Sequence, residues 1–498
     1  MIKKPSYIII YTSILLATAF SCSNFLDELP DNRTEIDSKE KIGELLVNAY
    51  PEASYFWVAE SMSDNSTDIG LANTSNLDIN TTKYYWNDIV GDGQDTPTFY
   101  WNACYAAIAQ ANQALKSAEE LGGGKDMDPY IGEALVARAY AHFMLVTLWG
   151  KSYNPNTSSS NLGVPIVTEP ETVVLKKYQR ASVEQVYMQI EKDLLKGMSL
   201  LNNNYKKPKF HFTVHAAYVF ASRFYQFKGQ WNKVINYADK ALGETPENLI
   251  RDWLYYRTIT ASEVRIRHQS SEENTNLLIV GAKSLYARHY EDGRYGISSQ
   301  LRNKIFSSRV HPLNKRWGYV IRVFSSTRYF VPKYREYFKY TNLSASTGLA
   351  YCMNVLFTYD EALLNRAEAY VMLNNYEAAV KDLNTFLSKK TRNYDASSDI
   401  LTYDDFVDFY QPQVKADDFL PFYQISNKQL PFIKCILDNR QREFIHEGIR
   451  WLDNKRMNMK IIHEDFDENS FALSKDDLRR ELEIPVEAVK LGLKQNPR

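Results

Sequence analysis

The chain has 498 residues, with 59 Lys+Arg against 60 Asp+Glu and a formal net charge of −1. That balance excludes the strongly basic domain or stripe of a nucleic-acid binder. A composition of 44% hydrophobic and 24% charged residues excludes wholesale disorder. One count stands out: 35 Tyr exceed 24 Phe, beside 8 Trp, and aromatics with a polar handle suit half-wet surfaces.

The chain opens with Lys3 and Lys4, then a mostly apolar run from Ile8 to Phe20. Small residues Ala19 and Ser21 flank Phe20, and Cys22 follows. Basic start, apolar run and small-residue cleavage site make a secretory signal peptide over 1–21, too short to span a bilayer. The Cys placed directly after it reads as a bacterial lipobox, with Cys22 as the lipidated mature N-terminus. Residues 22–37, with Asp27, Glu28, Asp31, Glu35 and Asp37, read as an acidic tether. No interior stretch approaches the roughly 18 apolar residues of a membrane span. The other cysteines, Cys104, Cys352 and Cys435, are widely spaced with no CxxC pair, unlike a disulfide framework or zinc site. Cys104 lies in a helical apolar run and reads as a core residue.

Ser38 precedes a helical pattern through Tyr50. From Pro51 to Thr98 the pattern turns irregular and rich in Asn, Asp, Thr and Gly, a long loop of the kind that often carries function. Helical spacing returns at Trp101, Tyr105, Ile108, Ala109, Asn112 and Leu115 and is closed by Gly122, Gly123 and Gly124. The next helix runs from Ile131 to Trp149. Ser182 and Gln185 form a capping box for a helix to about Leu201. Two later helix pairs fit the tetratricopeptide pattern of small residues at the crossing and aromatics in the gap. The first carries Ser222, Tyr225, Gly229, Trp231, Ala238, Ala241 and Pro246; the second carries Ala367, Tyr370, Tyr376, Ala379 and Leu383. Val234 and Ala379 are equivalent positions 379 − 234 = 145 residues apart, not a whole number of repeats of about 34 residues. A large insertion at roughly 250–350 separates the pairs. Its runs Leu277–Val280 and Tyr319–Val323 predict short strands. Acidic loops and one marked helix from Arg440 to about Met457 follow.

Motifs of catalysis are lacking: no HExxH, GxSxG, P-loop or GxGxxG occurs. His211 and His215 stand at i, i+4, a spacing that can hold a metal on a helix face, but no third ligand is near and no metal site is assigned. Arg440, Arg442, Glu443, Glu447, Arg450, Asp453 and Arg456 read as a structural ion-pair network; the competing reading is a catalytic cluster of Arg442, Glu443 and Glu447. Two aromatic clusters are candidate glycan platforms, since sugar rings offer apolar C–H faces to aromatic rings and hydroxyl rims to Asn, Asp and Arg. The first is Tyr84, Tyr85, Trp86 and Asn87, followed by Asp88. The second, in the insertion, is Tyr286, Tyr290, Tyr295 and Trp317 with Arg322. Packing of any one of these rings in the core is the competing reading.

In order and spacing, several segments resemble the SusD/RagB family of surface nutrient-binding lipoproteins of Bacteroidetes. They are Ser21-Cys22 with Phe25-Leu26-Asp27, then Trp101, Tyr105, Ile108 and Ala111-Asn112, then Glu133-Ala134 through Arg138-Ala139 and Phe143 to Leu148-Trp149-Gly150. Gly163-Val164-Pro165, Arg366-Ala367-Glu368-Ala369, Arg440 through Glu447-Gly448-Ile449-Arg450-Trp451, Ile484-Pro485 and Gln495-Asn496-Pro497 complete the series. Gln441 stands where the family often has an acid. The resemblance implies a mainly α fold, with four TPR-like helix pairs in a right-handed scaffold and a large loop-rich insertion containing a few short strands. It implies one domain over 38–498, with scaffold at about 100–250 and 355–390 and ligand-binding loops at about 51–98 and 250–350. It also implies an outer-membrane lipoprotein, held at the cell surface by its N-terminal lipid, that captures oligosaccharide without chemistry or cofactor. Such a protein hands its ligand to a SusC-like TonB-dependent barrel. Asp27 and Glu28 are similar to the acidic export signal of these lipoproteins. A RagB-like peptide binder and, from a different class, a lipid-anchored glycosidase are the alternatives.

Overall fold

The computed structural model describes residues 36–498 apart from 72–74, 172, 174–175 and 326. Met1–Ser38 and Lys39–Arg498 are separate units; the expected signal peptide, Cys22 and nearly all of the tether lie outside the described residues. The second unit begins with α1 (Lys39–Leu46), α2 (Phe56–Met62) and α3 (Asp78–Tyr84). The stretch 51–98 is therefore not loop throughout. Residues Phe56–Met62 are all buried, polar Glu60 and Ser61 included, and seven residues covered on every side show no helical period in sequence.

Two long helices follow, α4 (Pro97–Glu120) and α5 (Asp128–Trp149). Thr96 caps α4 by accepting from Phe99 N at 3.2 Å, Pro97 takes the first turn where no N–H is needed, and Gly122, Gly123 and Gly124 at positive φ end it. Helix α5 has the length and apolarity of a membrane span, yet that window is 94% buried inside the protein. It packs on α6 (Val183–Met198), whose expected Ser182–Gln185 capping box is formed. The two backbones cross at paired glycines: a Cβ on Gly132 would stand 2.9 Å from Gly197 O, and one on Gly197 would stand 2.7 Å from Val136. Arg138 fastens three helices, reaching Asp193 on α6 at 2.7 Å and Asn112 on α4 at 2.7 Å.

The two expected TPR-type pairs are α7 (Val214–Phe227) with α8 (Trp231–Leu242), and, beyond the insertion, α13 (Tyr359–Met372) with α14 (Tyr376–Ser388). Their turns repeat one geometry. Gly229 (φ +63°) and Asn374 (φ +59°), again 374 − 229 = 145 residues apart, occupy the same left-handed position, which Gly and Asn tolerate best. Gln230 N donates to Tyr225 O at 3.0 Å and Asn375 N to Tyr370 O at 2.8 Å, the equivalent bond in each pair. Arg366 joins the pairs, bonding Asp239 on α8 and Asp382 on α14.

The insertion holds short helices α9 (Trp253–Tyr256), α10 (Ala261–His268), α11 (Tyr286–His289) and α12 (Ser299–Phe306) among small antiparallel sheets. One has the order β2–β7–β6 (β2 Asn276–Lys283, β6 Tyr337–Asn342, β7 Thr347–Thr358). Another has the order β1–β3–β5–β4 (β1 Thr67–Asp68, β3 Tyr295–Ser298, β4 Arg322–Ser325, β5 Arg328–Phe330). The run Leu277–Val280 lies in β2 as expected, whereas the second expected strand starts only at Arg322. His211 and His215 do not share a helix face: His211 precedes α7 and meets Glu133 at 2.8 Å, while His215 meets Tyr359 at 2.8 Å. Cys104, Cys352 and Cys435 are buried and free.

The C-terminal part has α15 (Tyr403–Tyr410), α16 (Leu430–Glu443), α17 (Ile449–Arg456), the hairpin β8 (Ile461–Glu464) with β9 (Ser470–Leu473), and α18 (Val486–Lys490). The single helix expected over 440–457 is two helices. His446 and Gly448, both at φ +71°, break it, and a Cβ on Gly448 would meet Tyr55 at 2.9 Å. Its charges form the structural network: Arg440 and Arg456 both hold Asp453, and Arg456 also binds Glu368 at 2.5 Å. Glu443 receives Lys390 at 3.1 Å, Trp253 Nε1 at 3.0 Å and Tyr319 OH at 3.1 Å, while Glu447 pairs with Lys333.

Two stability predictions follow from this core. Glu443→Ala leaves Lys390 and Arg251 facing an empty site and is expected to destabilise the fold by about 3–5 kcal/mol in urea unfolding. Asp95 is the opposite case, a buried carboxylate met by Ser284 Oγ and by Leu285 N at 2.7 Å and pushed by burial up to about 7. The folded state therefore holds a proton that the unfolded state releases, and this stabilisation is complete below about pH 4 and lost as pH rises through 7. Asp95→Asn, which keeps both hydrogen-bond partners, is expected to match the parent near pH 4 and exceed it at pH 8 by up to ~4 kcal/mol.

Candidate ligand-binding site

The end of α3 sets the first candidate cluster. Asn87 N donates to Thr82 O at 3.0 Å and Trp86 N to Lys83 O at 3.1 Å, the two bonds of a Schellman cap. The residue that must turn left-handed in that cap is usually Gly, but here it is Trp86 at φ +55°. A bulky side chain in this region is strained and held by its surroundings. Lys83, buried, fixes the turn by donating to Asn87 O at 2.9 Å and to Glu483 at 2.8 Å.

The rings then stack as a column. Trp86 lies on His463 (4.4 Å, 15°), His463 on Tyr84 (4.1 Å, 8°), and Tyr84 on Tyr295 (4.3 Å, 30°). An arginine caps each end, Arg479 at 5.7 Å over Trp86 and Arg294 at 5.1 Å over Tyr295. His463 is wedged between two carbonyls, Nδ1 2.7 Å from Tyr84 O and Nε2 2.9 Å from Ser63 O. Burial holds its pKa below the usual imidazole range, so near neutrality the ring donates to only one of them.

This arrangement corrects the expected sugar platforms. Tyr84, Trp86 and Tyr295 are at most 4% exposed, and the flat faces of Tyr84 and Trp86 are covered. Tyr286 is also buried, among Phe56, Trp57, Tyr290 and Tyr334. Trp317 is buried between His311 at 4.1 Å and the Arg442 guanidinium at 4.3 Å. These rings are accessible to no sugar face; they bury area, and Tyr84, Trp86 and Tyr295 lock the insertion to the C-terminal hairpin through His463. The accessible candidates are Tyr85, half-buried against Phe471 at 4.8 Å, Asn87 and Arg322, both exposed.

Asn87 opens onto a cleft of about 540 Å³, lined by Trp86, Asn87, Asp88, the loop 474–479 and Arg498. The loop was missed because it stands some 390 residues from Asn87 in an acidic, non-periodic stretch. The carboxylates of the cleft are engaged: Asp477 is held down to about 2, first by its bond from Arg479, Asp476 accepts from Asn458 Nδ2 at 3.0 Å, and Asp88 binds Arg498 at 2.8 Å. The Asn87 side-chain amide has no hydrogen-bond partner among the described residues.

Helix pairs crossing on small residues, with an inserted face and an open polar cleft, define a helical-repeat scaffold of binding type. Residues 24–226 match the family described as "Starch-binding associating with outer membrane" and residues 318–489 match the "SusD family". The chain belongs to the SusD/RagB family. A SusD superfamily protein from Bacteroides thetaiotaomicron superposes with a TM-score of 0.64 at 18% identity, over 92% of this chain and 99% of that one. A SusD superfamily protein from Bacteroides vulgatus gives 0.66 at 16%, over 92% and 97%. A SusD-like carbohydrate binding protein from Bacteroides vulgatus gives 0.63 at 16%, over 91% and 96%. At these identities the likeness establishes the fold. No curated protein sequence matches the chain.

If the ring column holds Trp86 in its strained turn, His463→Ala should cost about 2–4 kcal/mol in stability and weaken the near-ultraviolet circular dichroism of Trp86. An unchanged spectrum would refute the role given to the column.

Proposed function

We propose that this chain is a glycan-binding lipoprotein of the outer membrane surface, anchored through Cys22, which captures oligosaccharide and passes it to a SusC-like TonB-dependent barrel. The observation that carries the binding reading is the cleft beside the Trp86 turn. The unpartnered amide of the exposed Asn87 and the polar loop 474–479 supply the directed hydrogen-bonding contacts that sugar hydroxyls need, on a wall held rigid by the buried Trp86 turn. The family, and the carbohydrate-binding description of a structural neighbour, agree with it.

Binding without turnover is favoured by the state of the cleft's acids. Glycoside hydrolysis needs one carboxyl group protonated near neutrality and one free. Asp477 stays ionised down to about pH 2, Asp477 and Asp88 are paired with arginine, and the third acid of the cleft, Asp476, accepts from Asn458 Nδ2 at 3.0 Å.

Isothermal titration against a panel of neutral oligosaccharides tests the reading. Asn87→Ala is expected to lower affinity about fivefold, the value of one lost hydrogen bond, without changing the melting temperature. Release of reducing sugar would instead make the protein a glycosidase. Silence toward glycans with binding of peptides would make it a RagB-like peptide binder.

A further inference from the structure

Arg322, singled out in the sequence, belongs to a cluster that the cleft does not use. The segment 316–321 runs alongside 390–392: Arg392 N donates to Arg316 O at 2.9 Å and Gly318 N to Lys390 O at 2.6 Å. Three guanidinium groups bond alternate carbonyls of this segment. Arg392 Nε reaches Trp317 O at 3.1 Å, Arg257 Nη1 reaches Tyr319 O at 3.3 Å, and Arg322 Nη1 reaches Ile321 O at 3.4 Å. The three carbonyls lie within five residues, and the charges of Arg392, Arg322 and Arg316 all act on Arg257, so the four guanidinium groups form one cluster along this segment. Arg257, Arg316 and Arg322 are exposed and Arg392 half-buried.

None of the four forms a salt bridge with a described residue. The nearby acids are taken: Asp252 binds Lys389 at 3.5 Å and Asp399 binds Lys315. Arg257 is held below the usual arginine range by burial and then by the charges of Arg392, Arg322 and Arg316. Arg392 is lowered in the same way, by burial and Arg316. Each guanidinium has five N–H donors, and at most one side-chain bond each is made to the protein. On β4, Phe324 shares the face of Arg322 by strand alternation and is 49% exposed.

We infer that this arginine edge binds the sulfate or carboxylate groups of an acidic glycan. The inference rests on the glycan-binding reading and adds the charge class of the ligand. Guanidinium forks match such oxyanions bidentately, and an exposed ring on the same face suits a sugar's C–H surface. A membrane or nucleic acid fits less well, because both are attracted by broad positive fields, whereas this chain has a net charge of −1 and the cluster is a single short edge.

The test is affinity electrophoresis and titration of the whole protein with heparin, chondroitin sulfate and polygalacturonate. Arg316→Gln with Arg322→Gln, at two exposed side chains, is expected to weaken binding of the acidic glycan by about tenfold per charge removed. The same variant should not lower thermal stability, since it relieves like-charge repulsion, and should leave neutral-oligosaccharide binding unchanged. Arg322→Lys should restore only part of the affinity, since an ammonium keeps the charge without the fork. Failure to bind all three polymers, or equal binding by the double variant, would overturn the inference. So would preference for vesicles of anionic lipid over the polymers. A neutral-glycan response that depends on Asn87 would survive each of these results, so the two readings fail separately.

Discussion

The fold is organised by buried charge. Arg223, Arg251, Arg328, Arg440 and Arg442 are among its largest fully buried side chains, and an unpaired charge there is strongly destabilising. Each must therefore find acceptors: backbone carbonyls for Arg328 and Arg442, carboxylates for the others, several of them far along the chain. Arg223 on α7 takes Glu361 on α13 at 2.5 Å. Arg456 on α17 takes Glu368 on α13. Arg251 and Lys390 approach Glu443 on α16 at 3.7 and 3.1 Å. A helix displaced by one turn would leave several of these groups unpaired at once. The network thus dictates which helix meets which, and it ties the insertion to the helix pairs through Glu443 and Glu447.

The second organising element is the ring column. It joins residues 84–86, 295 and 463, three regions that share no helix pair. The tyrosine surplus divides accordingly. Tyr225 and Tyr370 stand at the turns of the helix pairs, Tyr84 and Tyr295 fill the junction between insertion and C-terminal hairpin, and Tyr286 and Tyr334 pack against Phe56 of α2. At Tyr84 the hydroxyl explains the choice over Phe: Tyr84 OH donates to Glu464 O at 2.7 Å and accepts from Asp68 N at 3.1 Å, satisfying strand ends that a Phe would leave unpaired.

The parts of the fold legible in sequence were those with local causes. The helix pairs, the Ser182–Gln185 cap and the Gly-run terminus depend on residues within a few positions of one another. The break at His446–Gly448 escaped because its cause is the approach of Tyr55, nearly 400 residues away. The charge set of 440–456 was read correctly as a network because seven charges on a helical spacing demand partners, though their identity was not legible. The site was harder. A run such as Tyr84-Tyr85-Trp86 carries the same composition whether it faces a sugar or a stack of rings, and the loop 474–479 that completes the cleft carries no pattern. What the sequence did hold was the neighbour of the turn, Asn87, which stays exposed while the rings beside it are covered.

The same comparison separates the two kinds of arginine in the chain. Arg138, Arg223, Arg366, Arg440, Arg450 and Arg456 are buried and each meets a carboxylate; the fold accounts for them fully. Arg257, Arg316, Arg322 and Arg392 repel one another at the surface while nearby acids pair with lysines instead. Like charges gathered on one edge oppose folding rather than assist it, and no buried partner compensates them. The near-zero net charge conceals this segregation, because the acids that balance the four arginines lie elsewhere. Their bonds to backbone carbonyls leave the charges unbalanced, and the proposed acidic glycan supplies the anion that offsets this repulsion.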